Sequence, residues 1–140
     1  MPIWKRPVDL DALNQANRNT LMDALGIRVT AIDDDALYGT LPVDERTRQP
    51  FGFLHGGASV ALAETLGSIA ANLAADPGCV CMGVEVNANH LKAVRSGVVT
   101  GCARPLQIGR SIQVWDIRLE NEQQELVCVA RITVAVRERR

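Results

Sequence analysis

Residues 56–78 read GGASVALAETLGSIAANLAADPG. From the paired glycines to Ala75 the composition suits a helix throughout, and Asp-Pro-Gly at 76–78 stops it. This is the one long helical segment of the chain, and what surrounds it decides the fold. At helical spacing Gly57, Ala61, Glu64, Ser68 and Ala71 form one stripe, and Ala58, Leu62, Leu66, Ile69 and Leu73 form another. The second stripe belongs against a core. The first is made of small residues and carries two polar side chains, Glu64 and Ser68, one turn apart and within reach of each other. Glu64 is the only charged residue between Ser59 and Ala75. Such a face either meets solvent, the commonest fate of a glutamate, or lines a cavity.

Working outward, DLDALNQAN (9–17) and NTLMDALG (19–26) read as two short helices, opened by Asp and Asn caps, the second closed by Gly26. IRVTAI (27–32) and ALYGTLPV (36–43), either side of DDD, read as a hairpin. A loop, DERTRQPFGFLHGG, leads into the helix. Beyond it lie four β-rich runs, CVCMGVEVNANHL (79–91), GVVTGCARPL (97–106), SIQVWDIRLE (111–120) and ELVCVARITVAV (125–136). They are joined by short turns such as RSG and NEQQ, which favour antiparallel neighbours. The expected fold is α+β, an antiparallel sheet of about six strands wrapped around one long central helix, with residues 1–140 as a single domain. Small helix side chains let the sheet come close. The terminal RERR reads as a solvated tail.

Fifteen basic residues against sixteen acidic ones, net charge −1, argue against a nucleic-acid surface. No run nears the ~20 apolar residues of a membrane span, and the N-terminus does not resemble a signal peptide, so a cytoplasmic protein is expected. Cys79, Cys81, Cys102 and Cys128 sit among small apolar neighbours and read as core residues. Without a CxxC, and with His55 and His90 far apart in sequence, no metal site is expected.

The chemistry-bearing residues cluster at the helix start. There, free backbone N–H groups can stabilise a developing oxyanion, and glycine lets a substrate approach closely. Gln49 adds an amide donor just upstream. His55 is either a further functional group or the helix cap. At about 1.5 Å per residue, Glu64 lies roughly 12 Å along the axis from Gly56, too far for both to reach one carbonyl. If they act on the same atom, they come from two subunits whose helices run antiparallel across a two-fold axis. An obligate homodimer with two composite sites is therefore expected.

The stretches IWKR (3–6), LPVDERTRQPFGFLHGGASVALAETLGS (41–68), GVEVNANHLK (83–92) and PLQIGRSIQVW (105–115) resemble the hotdog-fold acyl-CoA thioesterases. The likeness is to the bacterial branch that holds 1,4-dihydroxy-2-naphthoyl-CoA hydrolases and enterobactin-proofreading thioesterases. It covers nearly the whole chain. It implies a homodimer that pairs into a homotetramer, an acyl-CoA substrate with no separate cofactor, and an aromatic acyl group as first choice. By the same resemblance Glu64 is nucleophile or general base, assisted by Ser68, while Gln49, His55 and the Gly56 backbone serve the thioester from the opposite subunit. CoA contacts fall on Gly83, on His90, Leu91, Lys92 and Ala93, and on Gln107, Ile108, Gly109, Arg110, Ser111 and Ile112. Lys92 and Arg110 are the phosphate candidates, or else surface charges. A carrier-protein thioester is the alternative substrate. A hydratase or dehydratase on acyl thioesters and a non-catalytic acyl-CoA binding protein are the rival readings. Phe53 and Asn72 depart from the branch, which favours aliphatic residues at the first position and glycine or an apolar residue at the second, so either is expected to reshape the acyl pocket. Trp4 is expected to pack on the body.

Overall fold

Helix α1 (Leu10–Ala16) starts where Asp9 accepts the Ala12 N–H at 3.2 Å. The computed structural model, which describes residues 1–139, continues with α2 (Leu21–Leu25), β1 (Arg28–Ile32), β2 (Leu37–Pro42), α3 (Gly56–Ala74), β3 (Cys79–His90), β4 (Val98–Ile108), β5 (Ile112–Glu120) and β6 (Leu126–Glu138). Gly26 closes α2 in the left-handed region, φ 78°, as its position predicts. The cap expected of Asn19 is not made. Thr20 holds the N-cap position, and Asn19 is itself left-handed, φ 61°, donating its N–H to Asp23 Oδ2 at 3.1 Å.

All six strands form one antiparallel sheet in the order β1-β2-β4-β5-β6-β3. The α+β layout expected from the sequence is therefore present, with α3 in contact with strands β2 to β6. One connection differs. RSG does not join neighbours: β3 pairs with β6 at the sheet edge, and residues 91–97 cross from there back to β4. A short polar turn is local information, whereas the placement of β3 follows from the long register it shares with β6, from Cys79 to His90. That register also carries β6 through Glu138, so half of the expected tail is strand.

Glycine explains how closely the sheet wraps α3. A methyl group at Gly67 would lie 2.5 Å from Ile132 Cγ2, and one at Gly101 would lie 2.8 Å from Leu66 Cδ1. Leu62, Leu66, Trp115, Ile117, Leu119 and Ile132 fill the space between and are fully buried. The wrap reaches further round the helix than the two-stripe reading allows. Ala71 is fully buried, its carbonyl taken by the buried Gln113 Nε2 at 3.2 Å, while Ile69 is only half-buried, on the same side as Glu64. Gln113 Oε1 in turn accepts from Trp115 Nε1 at 2.8 Å. Trp4 stacks on Trp115, ring centres 6.1 Å apart and 11° from parallel, and donates to the Asp33 carbonyl. All four cysteines are free; Cys81 and Cys128 are buried and the other two half-buried. No helix among the described residues is long and apolar enough to cross a membrane.

Candidate active site

His55 occupies the N-cap of α3, and its Nδ1 accepts the Gly57 N–H at 2.7 Å. Its carbonyl takes the N–H groups of Ala58 and Ser59 at 3.0 and 3.3 Å. Among the described residues this leaves Gly56 as the first-turn N–H with no acceptor. Of the two expected alternatives for His55, the cap is the one the geometry shows, and by capping it determines which N–H stays free. Gly56 also lacks a side chain for a reason, since a methyl there would lie 2.9 Å from His90 Nε2.

The loop before the helix aims Gln49. Its Oε1 accepts the Phe51 N–H, its backbone N–H donates to the Phe53 carbonyl at 2.8 Å, and its carbonyl accepts the Gly52 N–H at 2.9 Å. With the amide oxygen so occupied, the amide NH2 is the free end. Gln49, Gly56, His90, Leu91, Lys92 and Ala93 line one cavity of about 370 Å³. Phe53 lines it too, with the Arg95 guanidinium 4.2 Å above its ring. Lys92, a phosphate candidate, is paired with Glu125 at 2.6 Å, and this hydrogen bond holds the Glu125 carboxyl below the ordinary carboxylate range.

Glu64 and Ser68 line a different groove, about 470 Å³, between α3 and α2, whose other walls include Leu21, Met22, Val60 and Ile69. The carboxylate is exposed in the single chain but stands in apolar company. No hydrogen bond joins Glu64 to Ser68 among the described residues, although they share the groove. Gly83 lies against the carboxylate: a methyl there would sit 3.3 Å from Glu64 Oε2 and equally close to Ile132 Cδ1. The β3–β6 register shifts at this point, between Gly83 and Glu85.

A third group, Ile108, Gly109, Arg110 and Ser111, lines a cavity of about 510 Å³ at the far end of α3, beside Ala74 and Ala75. Gln107 and Ile112 flank it and are exposed. One chain thus holds its sequence-flagged residues in three separate places along α3, and the cavity with Gln49 and Gly56 shares no residue with the Glu64 groove. Sequence reasoning missed Leu21 and Met22, which wall the carboxylate groove from a helix some 40 residues upstream. No local signal marks such a contact. It also missed what Asn72 does, described below.

The thioesterase-superfamily model matches residues 51–128. The chain is 49% identical over 134 residues to the proofreading thioesterase EntH of Cronobacter turicensis, covering 96% of this chain and 98% of that protein. It is 46% identical over 134 residues to the 1,4-dihydroxy-2-naphthoyl-CoA hydrolase of Escherichia coli K12, with the same coverage. The crystal structure of a thioesterase from Haemophilus influenzae superposes with a TM-score of 0.96 at 48% identity, over 97% of this chain and 95% of that one.

Proposed function

Because the chain belongs to the thioesterase superfamily, whose members are thioester hydrolases, we propose that it hydrolyses a CoA thioester with an aromatic acyl group, in composite sites between two subunits. The carrying observation is the Gly56 N–H left without an acceptor beside the free end of the Gln49 amide, in a cavity that lacks a carboxylate. These two donors of one subunit hold the thioester oxygen as it gains negative charge. Glu64 of the other subunit either attacks the carbonyl carbon, giving a mixed anhydride that water then opens, or takes a proton from a water held near Ser68. In both routes the C–S bond breaks and one water ends as the new carboxylic acid and thiol. A thiol with a pKa near 8 to 9 leaves as thiolate with little acid assistance, so donors and one carboxylate suffice.

One relative's name, the 1,4-dihydroxy-2-naphthoyl-CoA hydrolase, supports an aromatic acyl-CoA. CoA contacts are assigned to Gly83, His90 to Ala93 and Gln107 to Ile112, with Arg110 and Lys92 toward phosphate. The split of these stretches between opposite ends of α3 supports the antiparallel pairing, which brings the far end of one helix to the near end of the other. The pairing of dimers into a tetramer is part of the same proposal. CoA is substrate, no separate cofactor is needed, and four free cysteines suit the reducing cytoplasm. The test is thiol release over a panel of aromatic and aliphatic acyl-CoA thioesters with Glu64→Gln in parallel. Turnover by the unmutated protein, falling on the order of a hundredfold or more in the variant, is expected. No free CoA from any substrate would instead favour a binding protein or a dehydratase.

A further inference from the structure

Asn72 stands one turn beyond Ser68 on α3, on the side of the helix that carries Glu64. Its Oδ1 accepts the Cys81 N–H at 3.0 Å, and its Nδ2 donates to the Cys81 carbonyl at 3.3 Å and to the Ser68 carbonyl at 2.9 Å. Cys81 faces Val136 in the β3–β6 register, and the Val136 N–H points the other way, to the Ser111 carbonyl at 2.9 Å. In an antiparallel ladder the N–H and C=O of one residue point to the same side. Cys81 therefore turns both groups away from β6, to the outer edge of the sheet. The asparagine amide takes the place there that a peptide group of a seventh strand would hold.

Two residues further along β3 is Gly83, where the strand bulges and where the backbone lies against Glu64 Oε2. A bulged edge strand has a ladder on one side only and an unpaired extra residue, which leaves it free to bend. The clamp at Cys81 removes that freedom just before the bulge. It also ties the strand to the carbonyl of Ser68, the residue that shares the Glu64 groove.

We propose that Asn72 is a positioning residue: by pinning the Cys81 backbone to α3 it sets the gap between the Gly83 bulge and the Glu64 carboxylate, and so the room for the reacting acyl carbon. This rests on the reading of Glu64 as the reacting carboxylate. Asn72→Ala removes the clamp. Asn72→Asp keeps its shape and its acceptor but loses the Nδ2 donor and sets a carboxylate against two carbonyls.

With the acyl-CoA that the unmutated protein turns over best, both variants are expected to lose about tenfold in kcat with KM within about twofold, the mark of a contact used in the reacting geometry. Gly83→Ala, which narrows the same gap from the strand side, is expected to cost much less on top of Asn72→Ala than alone. Unchanged kcat in Asn72→Ala, or additive effects in the double variant, overturns the proposal. A second measurement uses no substrate. The Cys81 amide is expected to exchange its hydrogen at least about tenfold faster in Asn72→Ala, with the Met82 and Glu85 amides, which face β6 on either side of the bulge, following. Unaltered exchange at Met82 and Glu85 overturns the clamp whatever the activity. Unmutated protein that turns over nothing, with exchange as expected, sinks the thioesterase reading and leaves the clamp standing.

Discussion

Gly56 serves two neighbours at once. Its N–H is the free donor of the helix start, and its missing side chain makes room for the imidazole of His90. Gly56→Ala separates the two, since alanine keeps the N–H but would place its methyl 2.9 Å from His90 Nε2. Alanine is also the better helix former by about 1 kcal/mol, so folding is not expected to suffer. The expected outcome is a fall of about tenfold in kcat/KM with no loss of melting temperature. His90→Ala in the same chain is expected to restore part of the lost activity. Activity unchanged by Gly56→Ala alone would show that His90 has room elsewhere. At this scale the sequence was legible in residue types but not in bonds. Gln49, His55 and Gly56 could be picked out because donors and glycines before a helix have few other uses. That His55 spends its Nδ1 on Gly57, thereby leaving Gly56 free, depends on a side-chain torsion that spacing does not record.

At the scale of the elements, α3 works because it is thin. Gly67 is the extreme point, with Ile132 Cγ2 2.5 Å from where a methyl would stand. Gly67→Ala sets the propensity gain of about 1 kcal/mol against overpacking, which typically costs about 1–3 kcal/mol. The clash is with a branched side chain on a buried central strand, which has little room to turn, so overpacking is expected to win. A melting temperature lower by about 2–5 °C in a thermal scan checks this; a more stable variant would mean that β6 yields. The Ala-rich composition made the helix and its wrapping sheet readable. Its two stripes were drawn less well. A helical wheel gives the direction of each side chain, but how far round the sheet reaches depends on side chains such as Gln113, which arrives from β5 to take the Ala71 carbonyl. The edge position of β3 was hidden for a similar reason: RSG looks like a hairpin turn, and only the long pairing with β6 shows that it is a crossing.

For the whole molecule, the separation of Gly56 from Glu64 could be read from the sequence as a length along a helix axis. The structure adds that Gln49 shares a cavity with Gly56, and that this cavity and the Glu64 groove have no residue in common. The proposed composite arrangement predicts complementation between subunits. Glu64→Ala and Gln49→Ala chains, each inactive alone, are expected to regain activity when mixed, because one of the two sites in a mixed dimer is then intact. No recovery after proven exchange of subunits would count against shared sites. One feature far from these sites gives the molecule an optical handle. The chain has two tryptophans, and they are the stacked pair, Trp4 from the N-terminal arm and the fully buried Trp115 from the sheet. Indole rings 6.1 Å apart and nearly parallel share their excitation, so the near-ultraviolet circular dichroism and the emission of the whole protein come chiefly from one contact. Neither ring lines the cavities that hold Gln49 or Glu64, so the signal follows the seating of the arm on the sheet.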